Sequence, residues 1–230
     1  MRIIALLFVC LSPQLGFGGS ETNAPAIGKA LLAPLPLKLP APGFMSMFYD
    51  GEYLDPHVEP VAQRPRPPFL APVGVTNLVY RKLVTTSDET VKPESLQRIT
   101  DRDKDAQEES VVYLKGGKQW VQIDLGSKHT IYAIVVWHDH RQVPIVKCVV
   151  VQTSDNENFD SHVQTLFNSD YGNVLGLGPG QDKQYVASYE GKLIDAKGVQ
   201  ARYVRCYSKG TSRGMFNTYT EIEVWGLPDK

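Results

Sequence analysis

Five short apolar segments in the C-terminal half of the chain show apolar and polar residues in alternation, and each ends in a turn signal. A period of two predicts β-strands, and strands repeated at short intervals without a helical pattern are typical of packed antiparallel sheets. We therefore expect an all-β fold, an antiparallel β-sandwich. The segments are Gln119–Gly126, Thr130–Trp137, Val146–Phe159, Ala201–Ser208 and Glu221–Gly226.

These segments differ in how many faces are apolar. Gln119–Gly126 and Glu221–Gly226 have one apolar and one polar face, whereas Thr130–Trp137 is apolar on both faces, which predicts a central strand covered on both sides. The glycine-rich stretch between Phe167 and Val199 predicts an irregular loop over most of its length. Such a long loop in a compact domain is usually functional or mobile.

Residues 20–72 form a second zone, in which eleven of the sixteen prolines lie between Pro25 and Pro72. Proline removes backbone donors and favours extended polyproline II, which excludes sheet or helix of any length. We interpret this zone as a linker or an extended N-terminal arm. It is either a semi-rigid spacer or a segment that packs onto the domain or a partner through apolar side chains. These side chains are Phe44, Met45, Met47, Phe48, Tyr49 and Tyr53.

Residues 1–19 are typical of an export signal, with Arg2 before the apolar run Ile3–Leu11 and small residues at Gly16–Ser20. The apolar run is too short to span a bilayer as a helix. We expect a secreted or extracytoplasmic protein with no transmembrane span in the mature chain; an uncleaved anchor and a lipoprotein modified at Cys10 remain alternatives. A formal net charge of −1 gives no indication of nucleic acid as a partner.

Five motifs stand in the same order as in a known family of binding modules, at Asn77–Ser87, Trp120–Gly126, Ser154–Phe159, Ala201–Arg205 and Glu221–Gly226. Through these motifs residues 73–227 resemble the discoidin domain, also called the coagulation factor 5/8 type C domain, which is a galactose-binding-like jelly roll. The chain contains no Asn-x-Ser/Thr acceptor, which favours a bacterial secreted member.

The resemblance implies a jelly roll whose loops at one end bind a ligand, usually a glycan and sometimes a phospholipid headgroup or a protein, without catalysis. The residues themselves also favour a non-catalytic protein, because no histidine has an identifiable nucleophile partner. The chain departs from the family in lacking paired cysteines at the domain termini and in its enlarged loop before Ala201. These departures concern the ligand more than the fold.

An acidic loop carries Asp101, Asp103 and Asp105 at alternate positions, and such carboxylates repel one another unless water or a cation neutralises them. Calcium suits such loops because it takes six to eight oxygen ligands. The resemblance implies a structural calcium ion held by Asp101, Asp103 and Glu221. Arg102 stands where the family often has glycine, and a solvated acidic loop is the alternative.

Two loops carry candidate sugar ligands, because a sugar site combines an aromatic platform with hydrogen-bonding groups. The first loop, Trp137–Arg141, follows a strand and offers both an aromatic ring and hydrogen-bonding groups. A zinc site at His138 and His140, or ordinary packing of these two side chains, is the alternative. The second loop, Ser208–Tyr219, is rich in glycine and polar groups and is also compatible with a flexible hairpin. The candidates are Trp137, His138, His140 and Arg141 in the first loop, Arg213, Phe216 and Asn217 in the second, and Asp170, Tyr171 and Asn173 in the stretch after Phe167.

Cys148 and Cys206 lie in predicted strands that are neighbours in the jelly-roll order implied by the family, which makes them a candidate disulfide. The bond requires Cα atoms about 4.4–6.8 Å apart, and the register is not readable from the sequence. The sequence thus predicts a non-catalytic secreted module that recognises carbohydrate. The alternative is a protein-binding adhesion or assembly module of the cell envelope, and phospholipid binding through Met215 and Phe216 is a third hypothesis.

Overall fold

The structure is a computed structural model that describes residues 31–42 and 54–228, and the residues from Leu31 onward form one compact unit. The predicted export signal and the six apolar side chains of residues 44–53 lie outside the described residues. Within the described part, no helix is long and apolar enough to cross a membrane.

The described residues form strands of 2 to 19 residues joined by loops, with one α-helical turn, α1 (Pro93–Leu96), followed by a 3-10 turn at Gln97–Thr100. The strands are β1 (Leu32–Pro34), β2 (Leu70–Pro72), β3 (Thr76–Asn77), β4 (Val84–Thr86), β5 (Val112–Leu114), β6 (Gln119–Trp137), β7 (Ile145–Val146), β8 (Val149–Ser154), β9 (Gln164–Asn168), β10 (Tyr185–Val186), β11 (Lys192–Ser208), β12 (Asn217–Tyr219) and β13 (Glu221–Leu227).

The main sheet has seven strands, in the order β3-β13-β6-β11-β8-β9, with β4 paired to the first half of β6. All pairings between these strands are antiparallel. Two predicted segments, Gln119–Gly126 and Thr130–Trp137, are the two halves of β6, which continues through the intervening turn signal. The predicted all-β antiparallel fold is confirmed.

A second layer consists of two short ribbons, β12-β5 and β10-β7. The core between the layers joins Leu114 and Tyr219 of the β12-β5 ribbon to Ile123, Ile134 and Ile222 of the main sheet, all of them fully buried. Burying an aliphatic or aromatic side chain contributes about 1.5–3 kcal/mol, so this layer of side chains is the main source of stability. The arrangement is the predicted sandwich.

The glycine-rich stretch after Phe167 is more regular than the sequence predicts. It contains β10, and β11 begins at Lys192, nine residues before the predicted strand at Ala201. Asp195 and Val199 lie on either side of a bulge in the pairing with β6, and Lys197 and Gly198 within it have positive φ. An unpaired bulge inside a long strand looks like a loop in the sequence, which explains the error.

The described part of the Pro-rich arm packs onto the domain rather than acting as a free spacer. Strands β1 and β2 pair with each other, and Leu35 donates a backbone hydrogen bond to the Phe69 carbonyl (2.9 Å). Three arm side chains cover the outer face of the main sheet, defined by Ala133, Val135, Trp137 and Trp225; they are Leu35, Leu37 and Phe69. The prolines limit β1 and β2 to three residues each.

Cys148 and Cys206 are both free thiols, so the candidate disulfide is wrong although the neighbouring strands are right. Cys206 pairs with Val151 of β8, and Cys148 lies an odd number of positions from Val151. Side chains alternate faces along a strand, so the two sulfurs lie on opposite sides of the sheet. Burial raises the pKa of the Cys206 thiol to about 12, which keeps it protonated.

Candidate functional site

Trp137 lies at the end of β6 and is fully buried against the outer face of the main sheet. Its indole Nε1 donates to the Tyr189 carbonyl (2.9 Å), and the Lys104 ammonium lies 5.2 Å from its ring centroid. The predicted role of Trp137 as a sugar platform is therefore corrected, because the protein already covers this ring. Trp137 instead supports the turn that carries Tyr189.

That turn, Ser188–Gly191, is closed by a hydrogen bond from the Gly191 amide to the Ser188 carbonyl (3.0 Å). Gly191 has φ +64, and a Cβ at this position would lie 2.6 Å from the Trp137 ring. Only glycine satisfies both the left-handed backbone and the close approach to the indole. The turn is thus packed flat on Trp137, with the half-buried side chain of Tyr189 at its rim.

Arg66 of the arm holds the same turn from the other side. Its guanidinium donates to the carbonyls of Gly191 (2.9 Å) and Glu190 (3.0 Å), and the Glu190 carboxylate accepts from the Arg66 amide (3.0 Å). An ion pair joins Glu59 of the arm to Lys192. Charge-assisted hydrogen bonds with a partly buried arginine fix geometry well, so the position of Tyr189 is set before any ligand arrives.

His138 is buried and belongs to the structural interior, which corrects its predicted role as a sugar ligand. Its Nδ1 donates to the Thr218 carbonyl (2.6 Å), and its Nε2 accepts from the Tyr185 hydroxyl (2.8 Å). Burial lowers the pKa of His138 to about 4, so the ring is neutral at physiological pH. It joins the end of β6 to both ribbons of the second layer.

A cavity of about 410 Å³, here called the Tyr189 cavity, opens beside the turn. Its volume lies within the range of about 300–1,000 Å³ found for small-molecule sites. The walls come from the acidic loop, from the loop after β6, from the Tyr189 turn and from the end of the first arm segment. The residues are Ala41, Pro42, Asp105, Ala106, Gln107, His140, Arg141, Val143, Ser188 and Tyr189.

His140 and Arg141 are the two predicted sugar ligands that line this cavity. Nε2 of His140 is 3.1 Å from the Lys104 carbonyl. Arg141 donates to Asp139 (2.7 and 3.0 Å), to Glu108 (2.8 Å) and to the Tyr113 hydroxyl (2.6 Å), so most of its donors already have protein acceptors. These hydrogen bonds raise the pKa of Arg141 and hold it as a fixed cation in the wall.

The other predicted loop does not reach this cavity, since Arg213, Phe216 and Asn217 do not line it. Asn217 is buried; its amide donates to the carbonyls of Lys115 (2.8 Å) and Gly117 (3.0 Å) and its Oδ1 accepts from the Gly210 amide (2.8 Å). Asn217 therefore holds two loops together through hydrogen bonds, which corrects its predicted role as a sugar ligand. Arg213 and Phe216 are exposed, so ligand contact at these two residues stays a prediction.

The acidic loop is folded around its own carboxylates. Asp101 Oδ1 accepts from the Asp103 amide (2.8 Å), and Asp103 accepts from the Asp105 amide (3.0 Å) and the Ser110 hydroxyl (2.6 Å). Among the described residues, no three His, Cys, Asp or Glu side chains are grouped as a metal site requires. The three predicted ligands therefore do not form a carboxylate cluster, and the ion stays a prediction.

Glu221, the third predicted metal ligand, is fully buried at the start of β13. Its Oε2 accepts from the Arg102 amide (3.1 Å), whereas its Oε1 has no hydrogen-bond partner. Burial, together with the nearby Glu223 and Asp101 charges, raises the pKa of Glu221 to about 10. A buried carboxylate oxygen without a donor is costly unless a proton or a cation satisfies it, which fits a cation ligand.

The sequence pattern does not single out Tyr189, Gln107 or the arm residue Arg66. Tyr189 stands in a Ser-Tyr-Glu-Gly stretch inside the predicted loop, where an aromatic residue beside a glycine was the available signal. Nothing in the sequence relates Arg66 to Glu190, because the two are far apart along the chain and meet only when the arm folds back.

No protein-family model and no curated protein matches the chain. Among solved structures, an F-lectin (fucolectin) from striped bass, Morone saxatilis, has a TM-score of 0.50 and 16% identity, and the match covers 67% of this chain and 48% of that one. Chitosan-binding module 1 of a chitosanase/glucanase from Paenibacillus sp. IK-5 has a TM-score of 0.47 and 19% identity, covering 66% and 99%.

A fucose-binding module from Streptococcus pneumoniae has a TM-score of 0.48 and 17% identity, covering 67% of this chain and 98% of that one. At these identities the likeness concerns the fold, and the F-lectin match and the strand order agree on it. The chain has the discoidin-like, galactose-binding-like jelly-roll fold that its sequence motifs predict.

Proposed function

We propose that the chain is a non-catalytic recognition module that binds carbohydrate in the Tyr189 cavity. The observation that carries the proposal is the combination, in one open cavity, of a half-buried aromatic ring with polar side chains from separate loops. A pyranose presents an apolar C–H face and a rim of hydroxyls, which require an aromatic surface and paired donors and acceptors.

The side chains that line the Tyr189 cavity provide different contacts for a sugar. The Tyr189 ring offers the apolar surface, while Gln107 and Asp105 are exposed and able to exchange hydrogen bonds with hydroxyls. Arg141 is neutralised by Asp139 and Glu108, so this wall of the cavity suits an uncharged sugar better than an anion. The turn is already fixed by Trp137 and Arg66, which lowers the entropy cost of binding.

If residues 1–19 export the chain, as their pattern predicts, the module binds its ligand outside the cell. A cell-surface or environmental glycan is then the partner. The F-lectin with this fold is a fucolectin, so fucose-containing glycans belong in the first set of probes.

A glycan array with the wild type, Tyr189→Ala and Phe216→Ala tests the proposal. We expect Tyr189→Ala to weaken binding about tenfold, because losing the contact of one aromatic ring costs about 1.5 kcal/mol. Phe216→Ala separates the cavity from the predicted Ser208–Tyr219 loop: binding in the cavity predicts wild-type affinity, whereas a loss confined to this variant would place the ligand on that loop. If no glycan binds the wild type, with calcium or with chelator, the proposal is wrong and the protein-binding alternative gains support.

We also propose a structural calcium ion at the acidic loop. Glu221, with its unpartnered buried oxygen, and Asp101 would hold it, assisted by main-chain carbonyls. When bound, the ion supplies positive charge that lets the buried Glu221 ionise. Burial and the Asp103 charge raise the pKa of Asp101, and a nearby cation removes that penalty. Asp103 would contribute through its position in the loop, since its carboxylate already accepts two hydrogen bonds.

A further inference from the structure

A second cavity, of about 1150 Å³, adjoins the Tyr189 cavity; here it is called the arm cleft. One wall is the arm from Glu59 to Pro67, and the other is the chain from Tyr185 to Leu193. Ser188 and Tyr189 line both cavities. The Tyr189 turn is therefore a shared boundary between two adjoining openings.

The size of the combined opening exceeds what one sugar unit needs. The Tyr189 cavity alone lies within the range of about 300–1,000 Å³ for a small ligand, and the arm cleft is larger than that range. A ligand in contact with Tyr189 and continuing past it would enter the arm cleft. A linear chain of sugars has this shape.

The arm wall is stiff and polar, which suits such a ligand. Pro60, Pro65 and Pro67 restrict the backbone, and exposed Gln63 and Arg64 supply donors and an amide acceptor. Proline has no N–H, so the main chain at these three residues offers carbonyl acceptors alone, which suit hydroxyl donors. The wall therefore offers hydrogen bonds on a rigid support.

The arm wall is also fixed in place at both ends. At one end, Glu59 donates its amide to the Gln184 carbonyl (2.8 Å) and pairs with Lys192. At the other end, Arg66 binds Glu190 and Gly191. The cleft is thus preformed, and an extended ligand gains contacts there without having to order the arm.

We propose that the module binds a stretch of linear oligosaccharide that runs from the Tyr189 cavity into the arm cleft, so that the Pro-rich arm is part of the binding site. This inference rests on the proposed carbohydrate function. It assigns to the arm, through Gln63 and Arg64, the recognition of sugar units beyond the one at Tyr189.

The test is a calorimetric titration with oligosaccharides of one, two, four and six units built from glucosamine or fucose. For a series that binds, we expect affinity to rise at least fivefold from the disaccharide to the hexasaccharide. The double variant Gln63→Ala/Arg64→Ala should lose this gain and keep the affinity for the shorter sugars. Lys92→Ala, which removes an exposed cationic side chain that lines neither cavity, is the matched control, and equal melting temperatures verify folding.

The two proposals fail differently in this experiment. If mono- or disaccharides bind as tightly as the hexasaccharide, or if the double variant keeps the gain, the extended site is wrong while carbohydrate binding stands. If no series binds at any length, the carbohydrate function is wrong, and the extended site falls with it.

Discussion

At the residue scale, the important pair is Trp137 and Tyr189. The indole of Trp137 is fully buried and donates to the Tyr189 carbonyl, so one aromatic ring supports the backbone that presents the other. The sequence favours the tryptophan because Trp137 ends a strand at the start of a polar loop, and the pattern does not show which ring is covered. The covering comes from Gly191 and from the arm, which are distant in the sequence.

Gly191→Ala should destabilise the protein more than Gly176→Ala. Both glycines have a left-handed φ (+64 and +68), which costs alanine about 1–2 kcal/mol. A Cβ at Gly191 also meets the Trp137 ring at 2.6 Å, whereas nothing lies within 4 Å of a Cβ at Gly176, so we expect about 1–3 kcal/mol more at Gly191. Urea unfolding measures both, and equal losses would contradict the packing of the turn on Trp137.

His138 should make stability depend on pH between about 6.5 and 4. Burial lowers its pKa in the folded state to about 4, so below pH 6.5 the unfolded chain binds a proton that the folded protein does not. The contribution of His138 to stability is therefore full above pH 6.5 and falls as the pH approaches 4, by roughly 3 kcal/mol. His138→Gln, measured by urea unfolding across this range, should show a shallower loss; an unchanged slope would contradict the assignment.

At the element scale, the sequence predicts the strands with regular alternation well and the irregular pairings poorly. The segments from Gln119 to Trp137 appear in β6 because their apolar positions repeat over many residues. The first half of β11 was missed because its bulge at Lys197 and Gly198 interrupts the pattern. The packing of the arm was left open, because proline patterns describe the extended backbone and not the surface that it meets.

Leu37→Ala tests whether the arm stabilises the domain. Leu37 packs against the outer face of the main sheet, and truncating this partly buried side chain should cost about 1 kcal/mol. Leu31→Ala is the matched control, because Leu31 is 76% exposed and its truncation should change stability by less than about 0.5 kcal/mol. Equal effects in denaturant unfolding would indicate that the arm is a spacer after all.

At the scale of the whole molecule, bound calcium should raise the melting temperature. A ligand at 100 times its dissociation constant stabilises the native state by about 2.7 kcal/mol, which corresponds to roughly 5–10 °C for a chain of this size. Chelator should remove the increase, and Glu221→Gln should abolish it, whereas Asp160→Asn at an exposed position should not. A melting temperature that is independent of calcium would show that the proposed structural calcium ion is wrong.

The fold and the site differ in how far the sequence predicts them. The jelly roll was predictable because its motifs lie within strands. The cavity was not, because its walls join Pro42, Gln107, His140 and Tyr189, which come together only when the arm and three loops fold against one another. Of the seven predicted ligand contacts, His140 and Arg141 line this cavity, since they follow directly after the strand end.

The most direct test of carbohydrate recognition is hydrogen exchange with and without the hexasaccharide that binds best. Carbohydrate binding in the Tyr189 cavity predicts slower exchange in residues 105–107, 140–143 and 187–191, and a ligand that enters the arm cleft extends the protection to residues 59–67. Protection confined to the Ser208–Tyr219 loop, with no change around Tyr189, would contradict it.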